Sequence, residues 1–187
     1  MNKFDAVVLI DCWDKNQETG EFYWLLDTFY RNQLVPYLST QDFDYVVYVN
    51  QEPHSNIIDK GLKKQIKNKQ GSYPQNFEIR NMYDFVTLPI WSSERIKGNA
   101  DILFGGRAWG ACIHFGSLNL QKFLCEPFDV YVAPEIVTNE GDMTFHDEIF
   151  LEDPLIEFEK VYRGKDKFFK FNCTRPNYAF NGSPNEE

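Results

Sequence analysis

The chain has little that would hold a metal. Its four cysteines, Cys12, Cys112, Cys125 and Cys173, form neither a CxxC nor a Cys/His zinc spacing, and only three histidines are present. Structural zinc and dithiol redox chemistry are therefore excluded as readings. No apolar run approaches the ~20 residues that a membrane-spanning helix needs. The start, Met-Asn-Lys-Phe-Asp, lacks the shape of a secretory signal. Free thiols in a reducing cytoplasm are the expectation, and the sequons at Asn172 and Asn181 read as chance matches. No basic stripe interleaves with aromatics, and the formal net charge is -9 with a pI of about 4.9. Such a surface would repel nucleic acid. The most basic stretch, residues 60–69, holds five lysines and reads as a solvated helix face. No repeat or low-complexity block interrupts the chain.

What is present is apolar and aromatic. The 187 residues are 43% hydrophobic and 17% aromatic, which suffices for the core of one domain without staples. Residues 5–10, Asp-Ala-Val-Val-Leu-Ile, form an apolar run without alternation, the mark of a strand covered on both faces. Residues 44–49, 101–105 and 129–133 read similarly, with a weaker strand over 77–80. Between them, residues 21–38 carry apolar positions at helical spacing until Pro36, which should bend or end that helix. Residues 56–69 predict a short helix, residues 92–97 another, and residues 111–124 a fourth. Strand and helix alternating every 30–50 residues or so imply a doubly wound, Rossmann-like α/β sandwich of three layers around a mainly parallel sheet. After Pro134 the pattern degrades. One domain over residues 1–187 is expected, with a divergent extension from about residue 138 and a loose tail over 177–187. Within that extension a helix over 152–161 and a strand over 167–172 are predicted.

Residues 101–120 carry the most chemistry. An apolar strand breaks at Gly105-Gly106 and restarts as a helix with Cys112 in its first turn. Backbone N–H groups at a helix start favour a thiolate and can bind the oxyanion of an attacked carbonyl. A small buried core thiol is the commoner fate of such a cysteine, and both readings stay open on local sequence. The two glycines do not make a phosphate loop: the third glycine of a dinucleotide fingerprint and the Lys-Ser/Thr of a P-loop are both missing. In an open parallel sheet, ligands bind beyond the carboxyl ends of the strands. Asp11, Arg80 and Cys112 each sit at such an end. A carboxylate, a cation and a thiol converging there would form a nucleophilic site.

Two of these motifs resemble a family, the isochorismatase-like cysteine hydrolases, which include nicotinamidases and N-carbamoylsarcosine amidases. Val-Val-Leu-Ile-Asp11-Cys-Trp is similar to the family's first strand ending in its catalytic Asp. Ile-Leu-Phe-Gly-Gly106-Arg-Ala108-Trp-Gly-Ala-Cys112-Ile is similar to its strand, elbow and nucleophile helix. The resemblance spans residues 3–137 and is dense only at those motifs. It implies a sheet of about six parallel strands, with strand one beside strand four, and assembly as dimers or tetramers. It also implies a mechanism: Asp11 takes the thiol proton, Arg80 stands where the family has Lys, and Cys112 attacks a carbonyl to give a thioester. The N–H groups of Ala108 and Cys112 would form the oxyanion hole. No cofactor is implied.

The departures are specific. Arg80, in Phe-Glu-Ile-Arg80-Asn-Met-Tyr, keeps the charge of the family Lys but cannot give up a proton. Trp109 replaces a Thr three residues before the cysteine, and Gly116 replaces another four after it. Metal-binding relatives use an Asp and two His after the second strand, whereas here only His54 falls there. His54 reads as a surface residue, and His114 as one that packs or caps its helix. Cys12 reads as a core bystander, and Asp14, Glu52 and Glu135 as solvated acids at the rim. Trp109, Trp13 and Tyr83 would wall a flat aromatic pocket, with Arg107 as a carboxylate anchor. The expected partner is a small-molecule substrate, an amide or related acyl compound. A catalytically silent relative kept for binding or assembly is the alternative, and a nucleotide-binding module a third.

Overall fold

The apolar runs over residues 6–10 and 45–49 are buried at every residue, as strands flanked on both sides are, and they belong to a set of five strands paired in parallel. The computed structural model describes residues 2–16, 29–49, 54–56, 66–67, 72, 74–79, 88–92, 100–107, 129–138 and 158–171. The strands are β1 (Ala6–Ile10), β2 (Trp13–Asn16), β3 (Tyr45–Val49), β4 (His54–Asn56), β5 (Gln75–Ile79), β6 (Asp101–Arg107), β7 (Asp129–Thr138), β8 (Phe158–Arg163) and β9 (Asp166–Phe171). The main sheet runs β5-β3-β1-β6-β7-β9-β8. Its first five strands are mutually parallel, and β9 and β8 are antiparallel additions. Strand one thus lies beside the fourth predicted strand, β6, in register from Ala6 against Ile102 to Ile10 against Gly106. A separate two-stranded ribbon pairs β2 with β4.

Both faces of the sheet are covered. Val7, Leu9, Val46, Tyr48, Leu103, Tyr131 and Ala133 share a cluster with Phe29, Leu34, Val35, Leu38 and Phe168. Ala6, Val8, Ile10, Val47, Val49, Ile102 and Phe104, on the opposite face, are equally inaccessible. Each large aliphatic buried this way contributes about 1.5–3 kcal/mol. The architecture is therefore an α/β sandwich. Among the described residues, helix is short: a π-turn over Tyr30–Leu34, α1 (Val35–Leu38) and a 3₁₀ turn over Pro89–Ser92. None of them is long and apolar enough to cross a membrane.

Pro36 acts as its chemistry requires. With no N–H to give, it cannot close an α-turn, and the chain just before it is wound into the wider π form. The helix then survives to Leu38, where Ser39 and Thr40 hydroxyls donate to the carbonyls of Pro36 and Tyr37 at 2.6 and 2.7 Å.

With seven strands, five of them parallel, the sheet agrees with the expected mainly parallel sheet of about six. Three expectations need correction. Residues 158–161, predicted as helix, are strand, because β8 and β9 form a hairpin closed by Gly164-Lys165, with Gly164 at φ +64°. A glycine at the first loop position of a two-residue turn suits the right-handed twist of the flanking strands. β7 does not stop at Ala133 but continues through Pro134 to Thr138, with a register break against β6 between Phe104 and Gly106. Lastly, Asn56 closes a strand instead of opening a helix, and Ile66 and Lys67 have no regular structure, though Ile66 is buried. The helices expected over 92–97 and 111–124 and the tail over 177–187 lie wholly or mostly outside the described residues.

Candidate active site

The sheet reverses its strand order between β1 and β6: the chain steps outward from β1 to β3 and β5 on one side, and from β6 to β7 on the other. The crevice at such a reversal, beyond the carboxyl ends of the strands, is where open α/β sheets bind ligands. Asp11 lies there, directly after Ile10. It is a buried charged residue at 7% exposure. Its N–H donates to the carbonyl of Val49 at 2.7 Å, tying the end of β1 to the end of β3.

Asp11 is also the one described residue other than glycine with a positive φ, at 51°. Asp tolerates this left-handed geometry better than most residues, yet it still costs on the order of 1 kcal/mol. Its effect is visible in the next residue. Strand alternation would place residue 11 on the face of Val7 and Leu9. Instead Cys12 joins that cluster, fully buried, with its Sγ 3.8 Å from the carbonyl oxygen of Ile10. The left-handed step moves the carboxylate out of strand phase and puts the thiol into the core. Cys12 is thus the core bystander that its sequence position suggested. Nearby, burial pushes the Tyr48 phenol above its ordinary range, with Cys12 adding to the effect. Tyr48 therefore stays protonated through neutral pH.

Gly106 makes this corner possible. Its φ is +106°, and a Cβ there would stand 2.0 Å from the Ile10 carbonyl oxygen. Gly105 is also hemmed in, since its Cβ would meet the Ile136 side chain at 2.8 Å. The main chain of β6 therefore runs hard against Ile10 on one side and Ile136 on the other. Opposite, β7 absorbs three extra residues between its pairings with Phe104 and Gly106, around Pro134, which has no N–H for the ladder. Glu135 is exposed in this irregular stretch, as expected of a rim acid. The bulge and the contact from Ile136 were not anticipated. Their sequence signal was a proline inside an otherwise β-rich run.

Of the other candidates, Arg107 is the last residue of β6, paired with Thr138 and half-buried. Trp13 opens β2, its backbone opposite Asn56, and His54 opens β4 opposite Asn16. Arg80, Tyr83, Ala108, Trp109 and Cys112 lie outside the described residues. Asp11 and Arg107 thus occupy the ends of the adjacent strands β1 and β6. Among the described residues, no group of three or more His, Cys, Asp or Glu could hold a metal ion.

No family model matches the chain, and no curated protein does. Among solved structures, the chain is similar to an isochorismatase-like hydrolase from Alkaliphilus metalliredigens. That similarity has 13% identity and a TM-score of 0.40, and covers 78% of this chain and 85% of the other. A likeness at that identity transfers no activity.

Proposed function

We propose that the chain is a cysteine-dependent hydrolase of a small amide or related acyl compound, working in a reducing cytoplasm. The observation that carries this reading is Asp11: a buried carboxylate, out of strand phase, at the topological switch point. Buried acids held in strained backbone are uncommon where only folding is served. Arg107 precedes Cys112 by five residues, within the motif similar to the cysteine hydrolases.

In this reading Asp11 accepts the Cys112 proton and Arg80 balances the carboxylate charge. The thiolate attacks the carbonyl carbon, and the N–H groups of Ala108 and Cys112 receive the oxyanion. The amine leaves with a proton returned from Asp11, and water then cleaves the thioester to the acid. Trp13, Trp109 and Tyr83 wall the pocket, and Arg107 meets a carboxylate of the substrate. The test is a panel of small amides and ureas, read by mass spectrometry for an acyl adduct. The expected result is a covalent mass on Cys112 in the wild type and none in Cys112→Ala. Folded protein with neither adduct nor turnover across the panel would leave a catalytically silent binding protein as the better reading.

A further inference from the structure

β6 carries no side chain at Gly105, the residue in register with Leu9 of β1. In-register residues of a parallel pair point to the same face, so a side chain at 105 would stand beside Leu9. That place is taken by Ile136 of the neighbouring strand. Its Cδ1, carbonyl oxygen and Cγ1 would lie 2.8, 3.0 and 3.2 Å from a Gly105 Cβ. Ile136 is fully buried, in one cluster with Leu9 and Cys12. To reach this place β7 leaves its regular ladder. Val132 pairs with Phe104 and Val137 with Gly106, so residues 133–136 stand against Gly105 alone.

A regular β6 would fill the same place with a side chain of its own, and β7 would need no detour. The bulge is therefore more than packing requires. Bulges gather beside active sites, where they re-aim or fix the neighbouring chain. Here the chain they fix is the end of β6. One residue on, Gly106 runs so close to β1 that a Cβ would stand 2.0 Å from the Ile10 carbonyl oxygen. Asp11 follows Ile10 directly, and Cys112 follows Gly106 by six residues. Ile136 thus braces, through Gly105, the corner from which the chain runs on to Asp11 on one side and toward Cys112 on the other. A misplacement of about 1 Å between reacting groups costs up to about a hundredfold in rate.

We infer that Ile136 is a positioning residue for the proposed thiol chemistry: it holds the end of β6 against β1 and so fixes the Cys112 thiol relative to the Asp11 carboxylate. The inference rests on the cysteine-hydrolase reading. Iodoacetamide labelling of Cys112, followed by mass spectrometry from about pH 5 to 9, tests it in the wild type, Ile136→Val and Leu38→Val. Each variant deletes one carbon from the same buried cluster and keeps the fold, but Leu38 belongs to α1 and not to the bulge. Ile136→Val is expected to slow labelling near neutral pH by about threefold or more, and to raise the pH of half-maximal rate. Leu38→Val should leave both unchanged while losing a similar amount of stability to urea. A fast wild type whose rate and pH midpoint are unaltered in Ile136→Val overturns the inference alone. Equal shifts in both variants also overturn it, since they would report general loosening of the core. A wild-type Cys112 that labels as an ordinary thiol overturns the hydrolase reading itself, and the inference with it.

Discussion

The two ends of β1 and β6 are built on opposite principles. At the carboxyl end, Asp11 and Gly106 both hold positive φ, the backbones of Ile10 and Gly106 are in tight contact, and β7 bulges. At the amino end, charged groups are paired and stacked. The Arg163 guanidinium lies 4.9 Å from the Phe4 ring centroid and 4.5 Å from that of Tyr131, donates to the Lys3 carbonyl at 3.2 Å, and pairs with Asp101. Asp101 and Asp5 exchange hydrogen bonds at 2.8 Å. Next to them, Asp166 accepts from Asn2 at 2.6 Å and from Gln41 at 3.4 Å. The hairpin turn thus clasps the start of the chain. Strain gathers where chemistry is proposed, and the interactions that offset it sit at the far end of the same strands.

The contrast breaks first at its glycines. Gly106→Ala should destabilise by at least about 3 kcal/mol, since the added methyl meets backbone that cannot rotate away. Gly164→Ala has nothing within 4 Å to meet and pays only the left-handed conformation, about 1 kcal/mol. Urea unfolding of both variants measures the difference. Equal losses would mean that the carboxyl end is not the tighter one. Arg163→Ala comes next. It removes two stacking contacts and an ion pair, at a cost of about 2–3 kcal/mol in the same assay. Turnover of any substrate found should be unchanged at temperatures where the variant is folded.

A smaller effect follows from pH. Burial, aided by Asp101, pushes Tyr131 up to about 12 from its ordinary 10.0. Its raised value favours the folded state fully below pH 10, and that contribution is lost as pH rises from 10 to 12. Tyr37 and Tyr48 are shifted in the same direction by burial. Stability against urea should therefore stay flat up to about pH 10 and fall beyond it. Tyr131→Phe should remove part of the fall.

The same contrast sets how much could be read in advance. Four of the five parallel strands were legible because Val, Leu, Ile, Phe and Tyr run together without alternation, whereas β5, Gln-Asn-Phe-Glu-Ile, was legible only as a weaker strand over 77–80. Asp11 was legible because a charge ends such a run abruptly. Its left-handed backbone was not, since Asp closes strands in several conformations. Of the hairpin, β9 was legible as the strand over 167–172, but β8 was missed because Glu159-Lys160 between apolar residues fits a helix as well as a strand. Gly164-Lys165 was the overlooked turn signal. Arg163 and Asp101 lie 62 residues apart, and no local pattern pairs them.

The central claim is that the Asp11 carboxylate serves the Cys112 thiol. Alkylation by iodoacetamide near neutral pH, followed cysteine by cysteine by mass spectrometry, tests it directly. Asp11→Asn keeps the size of the side chain and tolerates the left-handed backbone, so the fold should hold. The account predicts fast labelling of Cys112 in the wild type, and labelling slowed by about tenfold or more in Asp11→Asn. Labelling of Cys112 at the rate of an ordinary thiol, unchanged by the substitution, would contradict it.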